Sequence, residues 1–153
     1  MNEIAEIING TLHSGIPVEI MEYSIDSRSV VTPEHTLFFA LTGNNHNGHD
    51  YIRTLYSDGM RAFVISEFRE EFNQLTGANF IVVENVLTAL QQLAAHHRQH
   101  TQAEVIGITG SNGKTVVKEW LYQLLVNDHA VYRSPRSYNS QVGVPLSLLG
   151  IDP

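Results

Sequence analysis

Compact apolar runs of strand length, each followed by a polar or helix-patterned segment, constrain this chain more than any other feature. They occupy residues 37–41 (LFFAL), 62–66 (AFVIS), 80–83 (FIVV) and 105–109 (VIGIT). Runs without polar alternation are strands buried on both faces, and such strands need a covering layer on each side. The alternation therefore predicts an α/β layered architecture.

The segments between them supply that cover. Ile4, Ile7, Ile8 and Leu12 fall near helical spacing, with Gly10 as an end signal. Residues 18–25 (VEIMEYSI) read as a strand, followed by the polar connection DSRSVVTPEH. YIRTLYSDGM reads as a helix closed by Gly59, and residues 88–100 as a helix started by Thr88. A domain boundary is placed near residue 85, dividing the chain into 1–84 and 85–153. Residues 130–133 (AVYR) form a further short strand, and Trp120, Leu121, Leu124 and Leu125 make one apolar helical face, with Trp120 in the core.

Composition removes several function classes. The chain has 153 residues, 42% of them apolar and 16% charged, and no apolar run of the roughly 20 residues that a membrane span needs. No cysteine is present, so disulfides, thiolate metal sites and cysteine nucleophiles are excluded. The acidic N-terminal residues do not read as a secretory signal, and a cytoplasmic protein is expected. The net charge of -7 sits entirely in residues 1–103, while 104–153 are neutral. An acidic surface argues against nucleic acid as a partner, so an anionic ligand must be held by local groups.

Such groups occur at GITGSNGKT, residues 107–115. A strand, a glycine turn whose backbone N–H groups can approach phosphate oxygens, and a following helix N-terminus together make an anion site. Gly110, Ser111, Asn112 and Gly113 form the turn, Lys114 is placed to reach terminal phosphates, and the Thr115 hydroxyl to coordinate Mg²⁺. The common spelling of this loop requires a glycine six residues before the lysine, where Ile108 stands. A tight turn with a solvated lysine is the alternative.

TGSNGKT resembles the ATP loop of the Mur ligases, T-G-[ST]-x-G-K-T, which does not use the outer glycine. The resemblance extends upstream to Asp26-Ser27-Arg28, residues 37–41, Gly43 and Asn47-Gly48-His49, a pattern similar to the N-terminal domain of the members that add the third amino acid or the terminal dipeptide. Downstream, NSQVGVPLSLL is similar to a segment of the D-alanyl-D-alanine-adding branch, with Asn139, Gly143 and Pro145 on the shared positions. Arg136, Ser137 and Ser140 depart from that pattern and look most like the branch fused to an alanine racemase.

The resemblance implies a small N-terminal α/β substrate domain followed by the beginning of a P-loop central α/β domain. It implies ATP-dependent amide formation with Mg²⁺, joining D-alanyl-D-alanine to UDP-N-acetylmuramoyl-tripeptide through an acyl phosphate during peptidoglycan synthesis. Lys114 and Thr115 would then be catalytic, and residues 110–115 with Asn139 would bind nucleotide. Ser27, Arg28, Gly43, Asn44 and Asn45 would hold the UDP moiety; a polar Asx-type turn is the other reading of DSR. Since a P-loop sheet needs strands beyond residue 153, the chain is expected to be a fragment inactive alone. Two other functions remain open: a Mur-type ligase with another amino acid or acceptor, and a non-catalytic nucleotide- or UDP-sugar-binding module. A third is an α/β scaffold with a vestigial loop. His49 fits either a substrate contact or a helix start, and His96, His97 and His100 fit a solvated helix face better than a metal site.

Overall fold

The computed structural model describes residues 1–43, 46–135 and 138–151. Its centre is a five-stranded sheet of order β1-β5-β4-β3-β2. The strands are β1 (Thr11–His13), β2 (Glu22–Ser24), β3 (Thr36–Phe39), β4 (Ala62–Ile65) and β5 (Asn79–Val82). β2 to β5 run parallel, with Ser24 beside Phe38, Phe38 beside Phe63 and Phe63 beside Phe80. β1 closes one edge antiparallel, Leu12 lying opposite Ile81.

The period of two along each strand sorts the apolar runs into two cores. Leu37, Phe39, Ala62, Val64, Ile81 and Val83 face α1 (Asn2–Ile7), α3 (Val86–His100) and α5 (Gly143–Leu149). Phe38, Ala40, Phe63, Ile65 and Phe80 face the opposite side, where Ile52 and Leu55 of α2 (Ile52–Ser57) and Phe72 of the 3₁₀ turn Glu70–Gln74 cover them. Phe80 stacks with Phe63 at 5.3 Å and with Phe72 at 5.2 Å between ring centroids. Each such ring removed from water contributes about 1.5–3 kcal/mol, enough to pin the strand register.

The structure moves several element boundaries. Asn9 takes a left-handed backbone (φ 52°), and the Asn9 and Gly10 N–H groups cap carbonyls of Glu6 and Ala5. Helix α1 therefore stops, and Leu12 enters β1 instead of extending the helix. At α3 the cap is Asn85, whose Oδ1 accepts the Thr88 N–H at 2.9 Å, so Thr88 lies one turn inside. Although α3 begins beyond the boundary expected at residue 84, Val86, Ala89, Leu90, Leu93 and Ala94 join the first core.

The expected strands at 105–109 and 130–133 are not formed. A strand exists where its N–H and C=O groups find a partner ladder, and no described strand lies beside either segment. Val105 and Ile106 are correspondingly 45% and 57% exposed. Trp120 is likewise not core. It is 63% exposed on α4 (Lys114–Leu125), which buries no residue because no layer of the described chain covers its apolar face. Polar contacts tether this helix: Lys118 Nζ donates to Ser134 O at 2.8 Å, Glu119 pairs with Arg133, and Arg133 lies 4.1 Å above the Tyr122 ring.

One buried side chain stitches the sheet edge. Asn79 is 2% exposed; its Oδ1 accepts the Gly15 N–H at 2.9 Å, and its Nδ2 donates to Ile16 O at 2.8 Å and Arg61 O at 3.1 Å. Asn79→Ala strands those groups, and a loss of about 2–3 kcal/mol is expected in urea denaturation.

Candidate functional site

Parallel strands emit their following loops at one end, and in open α/β sheets ligands bind in the crevice beyond that end. Here the loop after β2 carries Asp26, Ser27 and Arg28, and the neighbouring loop after β3 carries Gly43. The fold thus brings three of the expected precursor residues to one edge. Asn44 and Asn45 lie outside the described residues.

Asp26 builds the first loop. Its Oδ1 accepts the Arg28 N–H at 3.0 Å, an Asx turn, and both carboxylate oxygens grip the guanidinium at 2.9 Å through Nε and Nη2. That pairing raises the Arg28 pKa from its ordinary value. The side chain is 87% exposed, so the carboxylate orients it without hiding it. The polar Asx-type turn expected at DSR is thus formed, and it presents the planar Arg28 cation at the surface.

The second loop is closed by NGH. Gly43 N–H bonds His46 O at 2.8 Å, and Thr42 bridges Asn47. Asn47 Oδ1 accepts from the His49 N–H at 3.1 Å and from Thr42 Oγ1 at 3.3 Å, and lies 2.8 Å from His49 Nδ1. Gly48 lies against β3: a Cβ there would sit 2.7 Å from the Ala40 backbone. His49 is 3% exposed in the 3₁₀ turn Gly48–Tyr51, and its Nε2 receives the Ser66 N–H at 3.1 Å. It stands at the helix start expected for it, with its side chain buried. The Asn47–His49–Ser66 chain is legible only in part, since Ser66 is distant in sequence.

The glycine loop is built separately, between α3 and α4. Gly113 takes φ 77° and opens α4 with no side-chain cap, leaving the helix N-terminus to other acceptors. Lys114 Nζ folds back onto the Gly110 carbonyl. The donor set of ammonium, backbone N–H groups and the Thr115 hydroxyl suits a phosphate. Asn139 is exposed on the segment entering α5, where Ser140 Oγ accepts the Gly143 N–H at 3.0 Å. Arg136 and Ser137 lie outside the described residues. His100 Nδ1 lies 2.8 Å from His96 O and His97 Nε2 2.8 Å from Ile151 O; among the described residues no group of three or more acidic or histidine side chains is arranged for a metal ion. No helix among them is long and apolar enough to cross a membrane.

The chain is similar to known proteins in sequence and fold. The family model described as "Mur ligase family, catalytic domain" matches residues 19–98, a span that holds the DSR turn, the NGH loop and most of α3 but ends before the glycine loop. A curated UDP-N-acetylmuramoyl-tripeptide--D-alanyl-D-alanine ligase of Bacillus subtilis (strain 168) is 30% identical over 151 residues, covering 99% of this chain and 33% of the relative. The crystal structure of MurF from Acinetobacter baumannii superposes with a TM-score of 0.85 at 28% identity, covering 99% of this chain and 32% of that one. A MurF ligase from Thermotoga maritima in complex with ADP gives 0.68 at 30% identity, over 84% of this chain and 28% of that one. The chain spans about a third of the length of the curated relatives it matches.

The close approach at Gly48 is directly testable. Gly48→Ala forces a methyl into the Ala40 backbone just beyond β3, and a destabilisation of about 1–3 kcal/mol is expected in urea denaturation.

Proposed function

We propose a function on one premise: this chain belongs to the Mur ligase family. It is the precursor-binding and phosphate-loop part of an ATP-dependent ligase that joins D-alanyl-D-alanine to UDP-N-acetylmuramoyl-tripeptide in peptidoglycan synthesis. The observation that carries this reading is the pairing of the DSR turn and the NGH loop at the carboxyl ends of adjacent parallel strands, inside the span that matches the family. The D-alanyl-D-alanine ligase relatives favour this acceptor and amine over those of other Mur-type ligases.

In this reading Ser27, Arg28, Gly43, Asn44 and Asn45 hold the UDP moiety. Asp26 occupies Nε and one Nη2 donor of Arg28, so the remaining N–H groups of the exposed guanidinium are turned toward an anion in a fixed plane. Residues 110–113 and Lys114 hold the phosphates of ATP, with Asn139 beside the nucleotide or the reacting carboxylate. Lys114 exchanges its Gly110 carbonyl partner for phosphate oxygen. The Thr115 hydroxyl would hold Mg²⁺, which would supply further charge neutralisation. The precursor carboxylate attacks the γ-phosphorus, releasing ADP and giving an acyl phosphate. The amine of D-alanyl-D-alanine then attacks the acyl carbon, expels inorganic phosphate and loses a proton.

The division of labour assigns precursor binding to residues 1–84 and nucleotide binding to 85–153, with α3 packed on the first unit while leading to the second. The location that goes with this chemistry is the cytoplasm.

Calorimetric titration of the chain with ATP·Mg²⁺ tests the phosphate loop. Lys114→Ala is expected to bind at least about tenfold more weakly, about 1.4 kcal/mol, because an ammonium–phosphate contact is lost. Equal affinity in the two proteins removes Lys114 from the site.

A further inference from the structure

We propose that His49 is a positioning residue for the precursor-binding loop: as a neutral imidazole protonated on Nδ1 it locks Thr42, Gly43, His46 and Asn47 to the end of β4, and a second proton releases them. The proposal rests on reading that loop as part of the precursor site.

The tautomer follows from two donors that cannot reverse their roles. The Ser66 backbone N–H can only donate, so Nε2, 3.1 Å away, is the unprotonated acceptor. The His49 backbone N–H likewise makes the facing Asn47 atom the amide oxygen, and an oxygen 2.8 Å from Nδ1 requires a proton on that nitrogen. The imidazole is thereby used at both ends. Through Asn47 it reaches Thr42 and the closed turn of Gly43 and His46, and through Ser66 it reaches the first residue beyond β4.

A proton added to Nε2 sets N–H against N–H. The charged groups facing the ring are Arg69, Glu67 and Asp50. Arg69, only 25% exposed and bonded to Asp50 at 2.9 Å, would then meet a second cation. Burial first, and then the Arg69 charge, lower the His49 pKa from its ordinary 6.5, while Glu67 and Asp50 oppose them. Because the folded value lies below the unfolded one, stability from neutral His49 is complete above 6.5 and is lost as pH falls through the window down to the folded value.

A histidine serving only to fill space needs neither this tautomer nor this coupling. The 153-residue chain, labelled with nitrogen-15 in its histidines and amides and carrying His46→Gln to remove the neighbouring titration, supplies the test. Above neutrality, long-range nitrogen-15 spectra are expected to show His49 neutral and protonated on Nδ1. As pH falls from about 8 to about 5, the Ser66, Gly43 and Asn47 amide signals should titrate with His49 at one midpoint. Calorimetry with UDP-N-acetylmuramoyl-tripeptide should show affinity falling about tenfold once about nine-tenths of the loop is released. His49→Gln retains a donor and an acceptor without titrating, and should restore a loop whose amides and precursor affinity are indifferent to His49's titration window.

A proton on Nε2, or loop amides unmoved while His49 titrates, overturns the lock. A coupled titration with unchanged precursor affinity overturns the positioning role. Absence of precursor binding at any pH with the lock intact overturns the functional reading on which that role rests.

Discussion

Burial of β3, β4 and β5 on both faces is the constraint on which the rest of this structure depends. Leu37 to Ala40 and Ala62 to Ile65 are all essentially inaccessible, so no strand can slip by one residue without exchanging the two cores. That fixed register sets where each strand stops. The turns after β2, β3 and β4 consequently leave the sheet side by side, and precursor chemistry is assigned to groups whose positions follow from hydrophobic packing rather than from loop flexibility.

The two polar devices at this edge differ in kind. Asp26 holds Arg28 at the surface, where an ion pair contributes little stability and its value lies in orienting a guanidinium. Asn47 and His49 work in a drier place, where both ring nitrogens of His49 and the Asn47 amide oxygen are used and each lost bond exposes an unsatisfied group. The glycine loop is held differently, with Lys114 Nζ donating to the Gly110 carbonyl. Its positive-φ Gly113 and helix N-terminus are formed locally, while the helix that follows keeps Trp120 and Leu124 in solvent.

The apolar runs at 37–41, 62–66 and 80–83 were legible because strands buried on both faces announce themselves without any partner being known. The run at 105–109 has the same composition and forms no strand, since backbone pairing is a property of neighbours that a local pattern cannot display. Trp120 misleads for the same reason: a helical apolar face states a need for cover, and the described residues do not provide it. Asn9 and Asn85, short polar residues that end one helix and cap another, shifted boundaries by a few positions. Of the site, DSR and NGH could be read as motifs, but the Asp26 clamp and the His49–Ser66 bond are matters of side-chain direction and long-range folding. They became visible only with coordinates.

The central proposal is that the carboxyl edge of this sheet, rather than the phosphate loop, holds the UDP-linked precursor. Chemical-shift mapping of the labelled chain with UDP-N-acetylmuramoyl-tripeptide tests it most directly. The account expects perturbations concentrated at residues 26–28 and 42–47, unchanged in the presence of ADP·Mg²⁺, with residues 110–115 silent. Perturbations confined to residues 110–115, or spread without preference over the surface, would contradict it.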